Sequence, residues 1–419
     1  MDFRLHKTLF FNVSSAAFIL LAVPATSIIL RGLVGFFILT IMSIIAGLFE
    51  RSAGKIAFNI KKGINVNFLF FGFSIWYAVG LIVNVLLGGG GLDDWRLMMG
   101  PVVFLIALFY SFAFMHDDEC YRRFQIAFII FWGIQAIFTF KIIHLDNSIV
   151  RQTVSTGIWL YGEQGGFAMI AMVLPMMLWR SLNENGAVKF FLLSFCGLLI
   201  ITISISSFAT PLGMLFVSVL LILLLLTVFP VTRGGRFTAV ILSLIIGSTT
   251  VLVYTFTHDN PLLAAAYYRL ENFLDDPTSG GYSGLDLDGS RWYLAEISLR
   301  SFLEEPFFGM GGGSIRASKF VGGHSSLLDS LGGYGLLGGG GAFCGMILFL
   351  FVASFYRFRR ERKWETLLGV VSCMLLFLGG IINPYWEGIQ PFCVLLMTRP
   401  FLRNGTAGRY ISNGPNFRG

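Results

Sequence analysis

Charge is scarce in this sequence. Of 419 residues only 13% are Asp, Glu, Lys or Arg, against 55% hydrophobic, and the mean hydropathy is +0.76. Soluble domains carry about a quarter charged residues, so the scarcity excludes the soluble globular class. Cysteine is scarce too, with five in the chain and neither a CxxC pair nor metal-ligand spacing among them. Cys120 falls in a short loop and Cys196, Cys344, Cys373 and Cys393 in apolar runs, which reads as five free thiols in lipid-packed positions rather than a disulfide framework. No GxxxxGK[ST] loop is present to cradle a nucleotide triphosphate. The N-terminus sets Arg4 and Lys7 before an apolar run without a convincing small-residue cleavage site, so that run is expected to remain as a first helix.

What the chain has in quantity is apolar runs, with 44 phenylalanines as lipid-facing and packing bulk. About 18 apolar residues as helix cross a hydrocarbon core of roughly 30 Å, and open sheet edges find no hydrogen-bond partner in lipid. The expected fold is therefore an all-α integral membrane protein. Its spans, about twelve in number, lie near 9–30, 33–49, 66–87, 98–115, 124–143, 166–179, 190–205, 211–229, 237–256, 332–356, 366–382 and 388–402. Counting sides from an inside N-terminus puts 50–65, 116–123, 180–189, 230–236, 357–365 and the tail in the cytoplasm. Those segments hold most of the 30 Lys and Arg, including RFRRERK at 357–363. Both termini are thus expected to be cytoplasmic, and the net charge of +7 is explained by topology rather than by nucleic acid. The organisation follows: spans one to nine over 1–256, a large extracytoplasmic loop with an amphipathic helix over 257–331, three more spans over 332–402, and a cytoplasmic tail over 403–419.

Two outer segments carry the polar inventory. One is 144–165, with Arg151 and Glu163. The other is the long loop, with more acidic than basic side chains. Loops of that length in a compact chain are usually functional. Within it a helix is expected to start behind Ser290 and stop at Pro306, followed by a glycine cluster (Gly309, Gly311 to Gly313) and a basic strip with Arg316 and Lys319. His324 then leads into the next apolar span. An imidazole at a membrane surface suits a general base near neutral pH, and equally a bond to a backbone carbonyl. The guanidinium groups of Arg291, Arg300, Arg316 and Arg151 match diphosphate in a bidentate fork, or else pair with neighbours such as Glu296, Glu304 and Glu305. Asp286-Leu287-Asp288-Gly289-Ser290 lacks the later glutamate of a calcium loop and reads as a helix cap. Asp329, five residues after His324, orients that imidazole only if the helix geometry is loose, and otherwise reads as a local cap or partner; no metal or cofactor site is expected.

The pattern after the histidine carries a resemblance. Leu328, Leu331, Gly335, Leu336 and Gly338 fall 4, 7, 11, 12 and 14 residues after His324, and upstream stand Arg291 and Pro306-x-x-Gly309-x-Gly311. This resembles the O-antigen ligase and Wzy-type O-antigen polymerase superfamily of membrane glycosyltransferases. Those proteins carry an arginine before an amphipathic helix, a PxxGxG turn and an HNxxLxxLxxxGLxG helix at the end of a large outer loop. Ser325 replaces the usual asparagine, and GGHSSLLDSL is closer to the polymerase branch. The region after the seventh span, SISSFATPLG, lacks the family's arginine, and Tyr161-Gly162-Glu163-Gln164 stands where an NPN-like segment is common. Arg151 and Gly162, Arg269 and Gly280, and Arg300 and Gly311 each repeat an arginine and a glycine with ten residues between them, a spacing polymerases of this kind share.

The resemblance implies a GT-C-like, inverting, metal-independent transferase of the bacterial inner membrane. It would join undecaprenyl-diphosphate-linked oligosaccharide units of a surface polysaccharide on the outer face. His324 would take the acceptor proton, and Arg291, Arg300 and Arg151 would hold the donor diphosphate, with Arg316 and Glu163 as further substrate contacts. Membrane lipids, and the flippase and chain-length regulator of the same pathway, are the partners implied. A ligase moving finished glycan onto a lipid core is the near alternative. A transporter of lipid-linked sugars is the other class, but transporters place ionisable residues inside the membrane, where these spans have almost none.

Overall fold

The computed structural model describes residues 72–73, 75–77, 79–80, 82–83, 118–145, 164–205, 209–229, 291–310, 325–382 and 390–399. Regular structure among them is entirely helical: α1 (Asp118–Leu145), α2 (Gln164–Leu182), α3 (Gly186–Ile205), α4 (Ala209–Val228), α5 (Arg291–Glu304), α6 (Ser326–Tyr334), α7 (Gly340–Glu361), α8 (Trp364–Ile382) and α9 (Gln390–Thr398). Three of these are long and apolar enough to cross a membrane, namely Gly186–Ile203 within α3, α7 and α8. The described part is thus that of an α-helical membrane protein.

The bundle is built around α2. Every residue from 167 to 178 is buried, the mark of a helix apolar all round and enclosed on all sides. It packs against α1, α3, α4, α8 and α9, and α7 packs on the far side of α8. Lipid is as apolar as leucine, so helices in it associate through close fit, and small residues permit that fit. At Gly133 of α1 a Cβ would run into the ring of Phe195 on α3. At Gly80 a Cβ would lie 2.6 Å from the Gly339 nitrogen, so that helical segment meets the chain backbone to backbone.

One end of the bundle is charged. Arg122 grips Glu184 through two bonds of 2.8 and 2.6 Å, tying α1 to the α2–α3 turn. Those bonds hold the Glu184 carboxyl below its usual range, against the opposing effect of burial. Arg180 of α2 donates to Gln125 of α1 at 2.6 Å, and the Tyr121 hydroxyl donates to the Met397 carbonyl at 2.5 Å. Arg399, over the Tyr121 ring at 4.7 Å, donates to Asp118 at 2.7 Å. Buried Arg357 of α7 donates to the carbonyls of Thr398 and Arg399 and to Glu361 at 3.1 Å, with Glu365 of α8 at 3.8 Å. Arg362 lies over Phe229, just past α4, at 5.1 Å. The segments near 118–123, 180–184, 229, 357–365 and 398–399 therefore share one end of the molecule, as strict alternation of spans requires.

Three expectations are corrected. Cys120 lies in the first turn of α1, not in a loop. The expected continuous span 332–356 is broken: α6 stops at Tyr334, Gly335 takes φ 63°, and α7 starts only behind Gly339 at φ 117°. The run GGYGLLGGGG has hydropathy enough to read as membrane, yet its glycines favour a turn over a helix. The last span is shorter than 388–402, with α9 closing at Thr398 where Arg399 turns left-handed at φ 47°. Cys196, Cys344, Cys373 and Cys393 are free thiols.

Candidate functional site

At the other end of α7 lies a compact unit made of α5, α6 and the two turns that follow them. Gly340 begins α7 and Arg357 lies near its end, so this unit and the charged cluster stand about 26 Å apart at 1.5 Å per residue. That separation is close to a hydrocarbon thickness.

Helix α5 starts at Arg291 and ends at Glu304, just before the proline that cannot continue it, which matches the bounds read from Ser290 and Pro306. Its large side chains Tyr293, Leu299 and Leu303 are exposed, whereas Ser298 and Ser301, one turn apart, are buried. The small face lets α5 lie flush on α6. A Cβ on Gly332 of α6 would fall 2.6 Å from the Ser298 carbonyl oxygen.

Helix α6 is capped by the residue after His324. Ser325 accepts the Leu328 amide on its hydroxyl at 3.3 Å. Asp329 returns the favour, accepting the Ser325 amide on Oδ2 at 2.9 Å, a variant of the capping box. The same carboxylate accepts the Ser298 hydroxyl on Oδ1 at 2.5 Å. Asp329 and Ser298 are both buried, and a bond to a charged acceptor in such surroundings is stronger than one in water. Asp329 is the local cap expected from the sequence, and it also joins α6 to α5.

The two turns interlock. Met310 donates its amide to Gly332 at 3.0 Å, Leu336 to Pro306 at 2.8 Å, and Leu337 to Phe307 at 2.7 Å. A Cβ on Gly309 (φ 69°) would lie 2.5 Å from the Gly333 carbonyl, and one on Gly335 (φ 63°) 2.5 Å from the Gly309 nitrogen. Side chains there would part the two backbones, and the paired amides are what irregular chain beside lipid requires. The Trp76 indole donates to the Leu337 carbonyl at 3.2 Å, and the Tyr77 and Phe343 rings stack at 4.7 Å, fastening the unit to the bundle. Leu303, Phe307, Phe308, Leu336 and Leu337 are exposed on its rim.

Of the residues singled out in the sequence, Arg291 is the first residue of α5. Arg300 is exposed on the same helix and donates to Glu296 at 2.9 Å, one of the local partners the sequence offered. His324, Arg316, Arg151, Glu163, Lys319 and the 286–290 segment lie outside the described residues. The residues that sequence reasoning missed are Ser298 and Gly332. Their signal was the pair of serines one turn apart on an otherwise bulky helix, and a glycine within a leucine-rich one. Among the described residues no three of His, Cys, Asp or Glu are grouped as metal ligands.

No protein-family model matches the chain, and no curated protein matches it.

Proposed function

We propose that this protein is a polymerase joining undecaprenyl-diphosphate-linked oligosaccharide units of a surface polysaccharide, on the outer face of the bacterial cytoplasmic membrane. The observation that carries the reading is the interlocking of three separate sequence segments: the helix opened by Arg291, the Pro306 turn, and the Leu328–Gly338 stretch behind His324. They are the segments in which the resemblance lies, and glycine-only contacts make each depend on the others. The charged end, rich in arginine, then faces the cytoplasm, which leaves the interlocked unit outside.

In this reading His324 takes the proton of the acceptor sugar hydroxyl as its oxygen attacks the anomeric carbon of the donor. The bond from that carbon to the diphosphate breaks, the configuration inverts, and undecaprenyl diphosphate leaves with the electron pair. Diphosphate is already a good leaving group, so the carboxylate pair of a glycosidase is not needed. Arg291 and Arg300, with Arg151, meet the charge on the departing diphosphate. The exposed rim of Leu303, Phe307, Phe308, Leu336 and Leu337 suits a substrate whose head is anionic and whose tail is isoprenoid.

The test is a gel of surface polysaccharide from a strain lacking the gene, complemented with wild type, His324→Ala or Arg291→Ala. A core carrying one repeat unit in the deletion, and a ladder restored by wild type alone, is the polymerase outcome. Bare core with lipid-linked polymer accumulating identifies a ligase instead. A ladder that survives the deletion rejects both.

A further inference from the structure

We propose that the turn joining α7 to α8 binds the phosphate of an anionic phospholipid, with Arg362 at the centre of the site. This needs only that α7 crosses the membrane, for which it is long and apolar enough, and is independent of the transfer chemistry. Arg362 stands one residue past α7 in the left-handed region, at φ 51° and ψ 35°. Helices favour glycine there, because a side chain in that region costs conformational energy. The arginine is nonetheless held in place. Its Nε donates to the Arg359 carbonyl at 3.1 Å, and its guanidinium lies over the rings of Phe229 and Phe358, at 5.1 and 6.0 Å. Its two amino nitrogens have no partner among the described residues. A guanidinium fixed in advance loses little freedom when it binds an oxyanion.

The surroundings are cationic. Arg359, Arg360 and Lys363 are exposed beside Arg362 and pair with no acid among the described residues. The two acids of the turn, Glu361 and Glu365, are turned to the buried Arg357, at 3.1 and 3.8 Å. An anionic headgroup therefore meets uncompensated positive charge, while the ammonium of a zwitterionic headgroup finds no free acid in the turn. The tail of such a lipid has a path as well. Leu348, Val352 and Tyr356 are exposed at intervals of four, and Arg360 is exposed four residues further on. One stripe of α7 thus runs from aliphatic to aromatic to basic. From Leu348 to Arg360 it rises about 18 Å at 1.5 Å per residue, a little more than one leaflet of a hydrocarbon core. Tyr356 then falls at the depth where headgroups begin, as tyrosine does in membrane proteins. Beside the stripe Phe355 meets the ring of Phe229 edge to face at 5.6 Å, which joins the apolar surface to the ring that holds Arg362. A phospholipid complements both the apolar stripe and the cations, whereas a soluble phosphate would use the cations alone.

The experiment uses delipidated full-length protein in neutral detergent, titrated with phosphatidylglycerol or with phosphatidylcholine of the same acyl chains. Native mass spectrometry counts the lipid bound. Wild type is expected to bind the first phosphatidylglycerol at least about tenfold more tightly than phosphatidylcholine. Arg362→Gly is expected to lose most of that preference. Glycine adopts φ 51° without strain, so the lipid-free melting temperature of this variant should equal or exceed that of wild type. Lost preference in a protein of undiminished stability separates lipid binding from a role in holding the turn. Arg359→Gln combined with Lys363→Gln, at two exposed positions, should weaken phosphatidylglycerol binding at an unchanged melting temperature. That double variant carries the test if Arg362→Gly fails to fold. Equal affinity of wild type for the two lipids, or a preference undiminished in both variants, overturns the proposal. So does full competition by glycerol phosphate, which would assign the cations to a soluble anion.

Discussion

Gly332 of α6 rests on the backbone of Ser298 of α5, so close that one added methyl group would lie 2.6 Å from the Ser298 carbonyl oxygen. Two helices separated by more than twenty residues of chain therefore touch without side chains between them. Gly332→Ala is expected to part them at a cost of about 1–3 kcal/mol. The measurements are thermal unfolding in detergent and limited proteolysis within 291–310, where cleavage should accelerate.

The interlocked turns should be equally intolerant. Gly335 combines φ 63° with ψ −175°, a region open essentially to glycine alone. Gly335→Ala adds a clash to that strain and is expected to lower the melting temperature and abolish transfer. Gly197→Ala in α3 and Gly213→Ala in α4 are the controls, since a methyl group there meets nothing within 4 Å. Their melting temperatures should equal or exceed that of the wild type.

At the charged end, Arg357 is buried against two backbone carbonyls and two glutamates. Arg357→Leu leaves Glu361 and Glu365 without their cation and is expected to destabilise by on the order of 3 kcal/mol. Arg357→Lys should rescue little, because one ammonium cannot replace a planar fork serving several acceptors. Unfolding by heat in detergent checks both.

The Arg122 pair gives a pH dependence with a definite sign. Its bonds depress the Glu184 carboxyl from the ordinary value of 4.5. A depressed carboxyl contributes stability that is present above its unfolded value and lost as pH falls through the lower folded one. The stability gap between wild type and Glu184→Gln should therefore be full at pH 7 and close progressively below about pH 4.5. A gap that widened on acidification would contradict the assignment.

Arg300 separates structure from function. Its pair with Glu296 is exposed and within one helix, and such pairs contribute about 0.3–0.5 kcal/mol at most. Arg300→Ala should leave the melting temperature within a degree or two of wild type, while raising the KM for the lipid-linked donor. An unchanged KM would remove Arg300 from the diphosphate site.

The parts of this fold that local chemistry dictates were legible. The bounds of α5 follow from Ser290 and Pro306, and the apolar lengths of α3 and α8 from hydropathy alone. The break at 335–339 was not, because Leu336 and Leu337 supply hydropathy to a stretch whose conformation glycines decide. Nor was the bond between Ser298 and Asp329: the pairing of a serine and an aspartate 31 residues apart leaves no periodic trace. Asp329 was legible as a cap and illegible as a bridge, since capping is local and bridging depends on how two helices meet. The expectations for His324, Arg151, Arg316 and Glu163 fall outside the described residues.

The most direct measurement places purified protein in liposomes with native undecaprenyl-diphosphate-linked repeat units and follows both products at once. The expected result is one undecaprenyl diphosphate released for each repeat unit joined, a new linkage of inverted configuration, and loss of both in His324→Ala. Movement of the lipid-linked units across the bilayer with neither release nor joining would contradict the transferase and leave a transporter in its place.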